Sequence, residues 1–171
     1  MGREGAGARE AILIVDARLN TAERAGSSSD TDMGHITFDR AKMARLVETK
    51  VTAGLLNASI QGERDAKALL SQPGSGQQYG DHKSSAPGQP PAPDTGHMRT
   101  ATQATLEVVR SGEDLVTHVV TNVPQAVAME KGTERMAARP YLSRLGSDHG
   151  SDLHQAFIAG ARNACGGGSA D

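Results

Sequence analysis

Apolar residues recur at helical spacing in the first half of this chain and at strand spacing in the second. From Thr37 onward, Met43, Val47, Val51, Leu55, Ala58, Ala66 and Leu69 keep to one helical face, widened by Leu46, Leu56 and Leu70. Thr37 is placed to cap the N-terminus, and Asp39 suits the first turn, where a carboxylate meets the positive end of the helix dipole. Gly54 and Gly62 weaken such a helix by about 1 kcal/mol each relative to alanine, so they predict close packing or a bend. Pro73-Gly74 stops it. At 1.5 Å per residue the helix is roughly 50 Å long and must lie across a sheet or against another subunit.

Past residue 100 the period changes. Residues 101–110 alternate as a strand, with Ala104, Leu106 and Val108 on one face and Thr105 and Glu107 on the other. Ser111-Gly112-Glu113-Asp114 is a turn, and Leu115–Thr121 returns as the antiparallel partner. The stretch 121–142, TNVPQAVAMEKGTERMAARPYL, then packs several events into little chain. Pro124 opens a short helix carrying Ala126, Val127 and Met129, and Gly132 stops it with a left-handed residue. Thr133 to Ala138 forms a loop, and a second helix begins at Pro140. It runs to Arg162 with Leu142, Leu145, Leu153, Phe157 and Ile158, interrupted near Gly146 or Gly150. The expected fold is α+β in a single domain over 37–162: a long N-terminal helix, a small antiparallel sheet and a C-terminal helix.

Two segments stand apart from this pattern. In residues 1–36, Ala8, Ile12, Val15, Leu19 and Ala22 are spaced as an amphipathic helix, followed by the linker-like Gly26–Asp32 and then Met33-Gly34. This predicts either an extension upstream of a true start at Met33 or a docking helix on a tether. Residues 72–97 are rich in Gly, Pro and Ser, and Pro87, Pro90, Pro91 and Pro93 favour an extended, polyproline-like loop. Residues 163–171 read as a disordered tail.

Composition narrows the function. Phe38, Tyr79, Tyr141 and Phe157 are all the aromatic residues in the chain. A core of Ala, Val, Leu and Met is thin, which favours a subunit stabilised by neighbours. A net charge of −2 gives no electrostatic footprint for sequence-specific nucleic-acid binding. The single cysteine, Cys165, rules out a disulfide framework or thiolate metal cluster. No apolar run reaches the ~18 residues of a membrane span, and Ile12–Val15 is too short for a secretory core, so a soluble intracellular product is expected.

Candidate chemistry is sparse. His35, His82, His97 and His118 are scattered, and only Asp148-His149-Gly150-Ser151-Asp152-Leu153-His154 is dense. On a continuous helix His149 and His154 are turned about 140° apart, so they do not share a metal, and a solvated polar face is expected with no metal or cofactor. The chain has no G-x-S-x-G, G-x-x-x-x-G-K-[ST] or H-E-x-x-H pattern, and no enzyme is expected. Among the charges, Glu130 and Arg139 read either as a local pair or as groups at a subunit interface, where the planar guanidinium binds carboxylates bidentately.

Two blocks carry a family resemblance. Val123, Pro124, Ala126, Glu130, Gly132 and Thr133, followed by Ala138, Arg139, Pro140, Tyr141 and Leu142, give V-P-x-A-x-x-x-E-x-G-T and A-R-P-[FY]-L. Upstream, Ser85-Ala86-Pro87-Gly88-Gln89-Pro90-Pro91 leads to Thr95-Gly96-His97-Met98-Arg99. In order, these resemble the signature of the tail-completion (neck, head–tail joining) proteins of long-tailed bacteriophages, with a likeness running from about residue 37 to about 158. The family's pattern has tyrosine after V-P, and this chain has Gln125. The resemblance implies a virion structural protein of the tail and neck, assembled in the bacterial cytoplasm. It implies a homo-oligomeric ring with the tail's six-fold symmetry around the DNA passage. The ring would sit between a head-side neck or stopper protein and a tail-tube or tail-terminator protein. Its candidate interface residues are Pro124, Glu130, Gly132, Thr133, Arg139, Pro140 and Tyr141, while Gly132 reads first as a backbone requirement and Tyr141, with Met98, as a core residue. The competing readings are a small protein-binding adaptor that forms no ring and, from a third class, a hydrolase.

Overall fold

The computed structural model describes residues 11–18 and 39–164. Its elements, in chain order, are β1 (Ala11–Arg18), α1 (Arg40–Leu69), β2 (Gln78–Tyr79), β3 (His82–Lys83), α2 (His97–Ala101) and β4 (Thr102–Ala104). They continue with β5 (Val109–Ser111), β6 (Asp114–Thr121), α3 (Gln125–Lys131), α4 (Leu142–Asp148) and α5 (Gly150–Asn163). The fold is α+β, as the hydrophobic pattern predicts. The expected Gly26–Asp32 linker, Met33, Thr37 and positions 165–171 of the tail expected over 163–171 lie outside the described residues, whereas Asn163 ends α5 and Ala164 caps it.

The long helix is capped by Asp39, not by Thr37: its Oδ1 accepts the Lys42 amide at 3.0 Å while its backbone stays extended. The helix closes when the Leu70 amide bonds Ala66 O at 3.0 Å, ahead of Pro73. The face predicted from the periodicity is buried from Gly54 to Leu69, but Met43, Leu46 and Val47, earlier on the same helix, are exposed. Gly54 is there for close packing. A Cβ on it would lie 2.7 Å from the Phe157 ring, and one on Gly160 would lie 2.6 Å from Ala53 O. Thus α1 and α5 cross with little between their backbones.

β6 is the central strand of the sheet. Its residues Leu115, Thr117, Val119 and Thr121 are buried, while the alternate positions are half-exposed. β1 runs antiparallel along its whole length, from Ala11 opposite Thr121 to Arg18 opposite Asp114. Over residues 11–18 this corrects the expected amphipathic helix, which a strand replaces. Ala11-Ile12-Leu13-Ile14-Val15 is a continuous apolar, β-branched run, which fits a strand better than a one-sided helix. The partner that selects it lies a hundred residues downstream.

On the other side of β6, the strand expected over 101–110 is split. β4 pairs Ala104 with Val119 and β5 pairs Val109 with Val116, so five steps along one strand match three along the other. The excess bulges out at Leu106, which is 75% exposed. Residues 97–101 are helical, so β4 begins only at Thr102. Glu63 of α1 fixes the break, because its Oε2 accepts the Ala104 amide at 2.7 Å and its Oε1 pairs with Lys67. Burial alone would raise the Glu63 carboxyl, but the bonds from Lys67 and Ala104 outweigh it and hold its pKa below the ordinary value. The β5–β6 turn forms as read, with Gly112 at φ +64°.

The helices cover one face of the sheet. The central cluster joins Ala66, Leu69 and Leu70 of α1 and its cap to Val119, Val123, Ala126, Tyr141, Leu142 and Leu145. Beneath it, the Thr102 and Thr121 hydroxyls bond one another at 2.8 Å, which satisfies two buried polar groups on adjacent strands.

Candidate subunit interface

The stretch 121–142 folds as a tight corner. Pro124 caps α3 with helical angles, where its missing amide hydrogen leaves nothing unsatisfied. Gly132 ends α3 at φ +77°, and a Cβ there would lie 2.8 Å from both Ala138 N and Met136 O. The position requires glycine on both grounds. Thr133 and Met136 then exchange backbone hydrogen bonds of 2.8 and 3.2 Å, which closes the loop on itself. The Arg139 amide bonds Met129 O at 2.7 Å, bringing the chain back beside α3.

Glu130 is the centre of this corner. Its Oε2 accepts the amides of Tyr141 at 3.0 Å and Leu142 at 3.1 Å, and its Oε1 accepts that of Ser143 at 2.9 Å. These are orphan donors at the start of α4, whose N-cap residue supplies no side-chain bond. A carboxylate there also meets the positive end of the helix dipole. Glu130 is therefore committed to its own subunit, and the expected local pair with Arg139 is replaced by three backbone bonds. The second helix is two helices, broken at His149 just before Gly150, as the glycine pattern allowed.

The other predicted interface residues divide by burial. Tyr141 is 0% exposed and belongs to the core, which corrects its placement at an interface. Its hydroxyl approaches Thr121 without a well-formed hydrogen bond, and burial pushes its pKa up to about 12. Pro124 and Thr133 are exposed, and Gly132 and Pro140 are half-exposed. Arg139 is half-buried, its Nε is enclosed with no hydrogen-bond partner, and among the described residues its guanidinium enters no ion pair.

The Pro/Gly-rich segment meets this corner. Gly88, at φ +77°, donates its amide to Ala138 O at 2.9 Å. Ser85, Pro90 and Pro91 are buried, so 85–99 is a strap on its own subunit and not the free extended loop expected. A buried proline brings no amide donor that would need a partner, only its carbonyl. Upstream, β2 and β3 form a small exposed hairpin. Between the strap and α3 lies a shallow hollow of about 140 Å³ lined by Leu70, Pro91, Met98, Gln125 and Met129 among others.

Of the dense 148–154 stretch, His149 and Asp152 come together with Asp65 of α1, a residue that no local pattern singles out. His154 does not join them. Among the described residues no helix is long and apolar enough to cross a membrane. Compared with known protein families, curated proteins and solved structures, the chain finds no match.

Proposed function

We propose that this chain is a phage or prophage virion structural protein that completes the tail end and joins it to the head by forming a ring. Its role is geometric and not enzymatic. The observation that carries the reading is the Gly88–Ala138 hydrogen bond. It joins the two sequence blocks that resemble the tail-completion family, so the residues behind the resemblance form one structural unit.

Two further features support assembly. Met43, Leu46 and Val47 are each at least 40% exposed on consecutive turns of α1, with Leu106 and Val109 exposed on the sheet edge. Apolar side chains grouped on a helix face mark a surface that another chain covers. Arg139 is half-buried and its guanidinium enters no ion pair among the described residues, so a carboxylate from a neighbouring copy would complete it. A ring requires heterologous contacts that close, so one surface of the subunit must fit a different surface of the next. Partners above and below would be a neck protein and a tail-tube or terminator protein. The alternative, a non-enzymatic adaptor without ring assembly, predicts a monomer. The mass of the full chain in solution, with negative-stain images of the same sample, separates the two.

A further inference from the structure

His149 stands at the junction of α4 and α5, serving as the cap residue of both. Its Nδ1 lies 3.9 Å from Asp65 Oδ2 on α1 and 3.7 Å from Asp152 Oδ2 in the first turn of α5. All three donor atoms fall within 4.8 Å of one another. The two distances to His149 are too long for direct hydrogen bonds. Ligand bonds of about 2.0–2.2 Å set tetrahedral ligands roughly 3.3–3.6 Å apart, so a shared ion would draw the three side chains slightly inward.

Asp65 supplies an independent reason to look for a ligand. Gln61 Nε2 donates to its Oδ1 at 2.9 Å, but among the described residues nothing donates a hydrogen bond to its enclosed Oδ2. A buried carboxylate oxygen left without a donor is unfavourable. The Gln61 bond also holds the carboxylate in place with Oδ2 toward the imidazole, the kind of outer support that metal-ligating carboxylates have.

We propose that Asp65, His149 and Asp152 bind one divalent transition-metal cation, with Zn²⁺ as the best fit. One imidazole nitrogen and two carboxylate oxygens suit Zn²⁺, whereas Mg²⁺ and Ca²⁺ select all-oxygen sets. The half-exposed setting leaves a fourth position for water. The ion neutralises the bare Asp65 oxygen and ties the α4–α5 break to α1, fixing the direction in which α5 leaves the junction. This site does not depend on the assembly reading.

The test is a titration of the untagged, chelator-treated full chain with ZnCl₂ by calorimetry and with CoCl₂ by visible absorption. The expected result is one saturable site per chain, Co²⁺ bands of low coordination number, and a thermal midpoint that rises with Zn²⁺ concentration. Asp65→Asn and His149→Gln should each weaken binding by at least about tenfold, since even outer-shell losses weaken metal sites by about 10–100-fold. Asp152→Asn, at an exposed side chain, should do the same and keeps the test decisive if the other two variants fail to fold. Absence of saturable binding would overturn the proposal and leave a histidine lying beside two carboxylates. Binding of unchanged affinity in the folded variants would overturn it too, placing the metal on other histidines.

Discussion

The Glu130 carboxylate accepts the Tyr141 amide at 3.0 Å across eleven residues of chain. With the bonds to Leu142 and Ser143, it closes the loop after Gly132 and starts α4 in one stroke. The corner at 121–142 is thus held by one side chain acting on backbone, and the exposed part of the loop is presented on a fixed frame.

Replacing that carboxylate should be felt in folding. Glu130→Ala should destabilise the chain by about 2 kcal/mol, because it removes a cap and leaves backbone amides unpaired. Glu130→Gln should fall between, since the amide oxygen still accepts but without charge. Urea unfolding with an unchanged m-value measures this. A loss under about 0.5 kcal/mol for alanine would mean that water satisfies these amides equally well.

The glycines of the C-terminal helices should respond in opposite directions. Gly160→Ala drives a methyl against Ala53 O, a backbone atom that cannot swing away, and should destabilise by about 1–3 kcal/mol. Gly146 lies within α4 with nothing within 4 Å of its Cβ position. Gly146→Ala should therefore stabilise by about 0.5–1 kcal/mol through helix propensity alone. A Gly160→Ala thermal midpoint at or above that of the wild type would contradict the close α1–α5 crossing.

Tyr141 sets an alkaline limit. Its ordinary pKa of 10.0 is pushed up to about 12 in the folded chain. Between these values the unfolded chain loses the proton and the folded chain keeps it. Stability from this group is complete below pH 10 and falls as pH rises toward 12, by about 2–3 kcal/mol in all. Tyr141→Phe should remove that slope. It should change stability little at pH 7, since the hydroxyl has no well-formed hydrogen bond to lose. Parallel pH curves for the two proteins would contradict the assignment.

What could be read from the sequence was local. The face of α1 from Leu55 to Leu69, the Gly112 turn, the stop at Gly132 and the break at Gly150 each rest on residues within a few positions of one another. What escaped reading was settled across long separations. Ile12–Val15 lies within a helix-spaced stripe, and its continuous apolar run becomes a strand only because β6 offers an edge. The strand over 101–110 breaks because Glu63 takes the Ala104 amide. Asp65 meets His149 only when α1 and the α4–α5 junction pack, and nothing near either residue in sequence announces the other. Glu130 and Tyr141 were singled out by motif, but pattern alone does not say whether a residue in a motif faces inward. Both turn to their own chain, which leaves the exposed Thr133 and Pro124 and the half-buried, unpaired Arg139 as the remaining candidates among the described residues.

The central claim is that this chain assembles with copies of itself, and its mass in solution tests that most directly. Light scattering on the full chain should give a single closed multiple of 17.8 kDa, seen as rings in negative stain. Arg139→Ala should fall to the monomer mass with its thermal midpoint nearly unchanged, and Arg139→Lys should restore assembly poorly because it lacks the planar fork. A wild-type protein that stays at 17.8 kDa at every concentration, or an Arg139→Ala variant that unfolds while its surviving fraction still forms rings, would contradict the account.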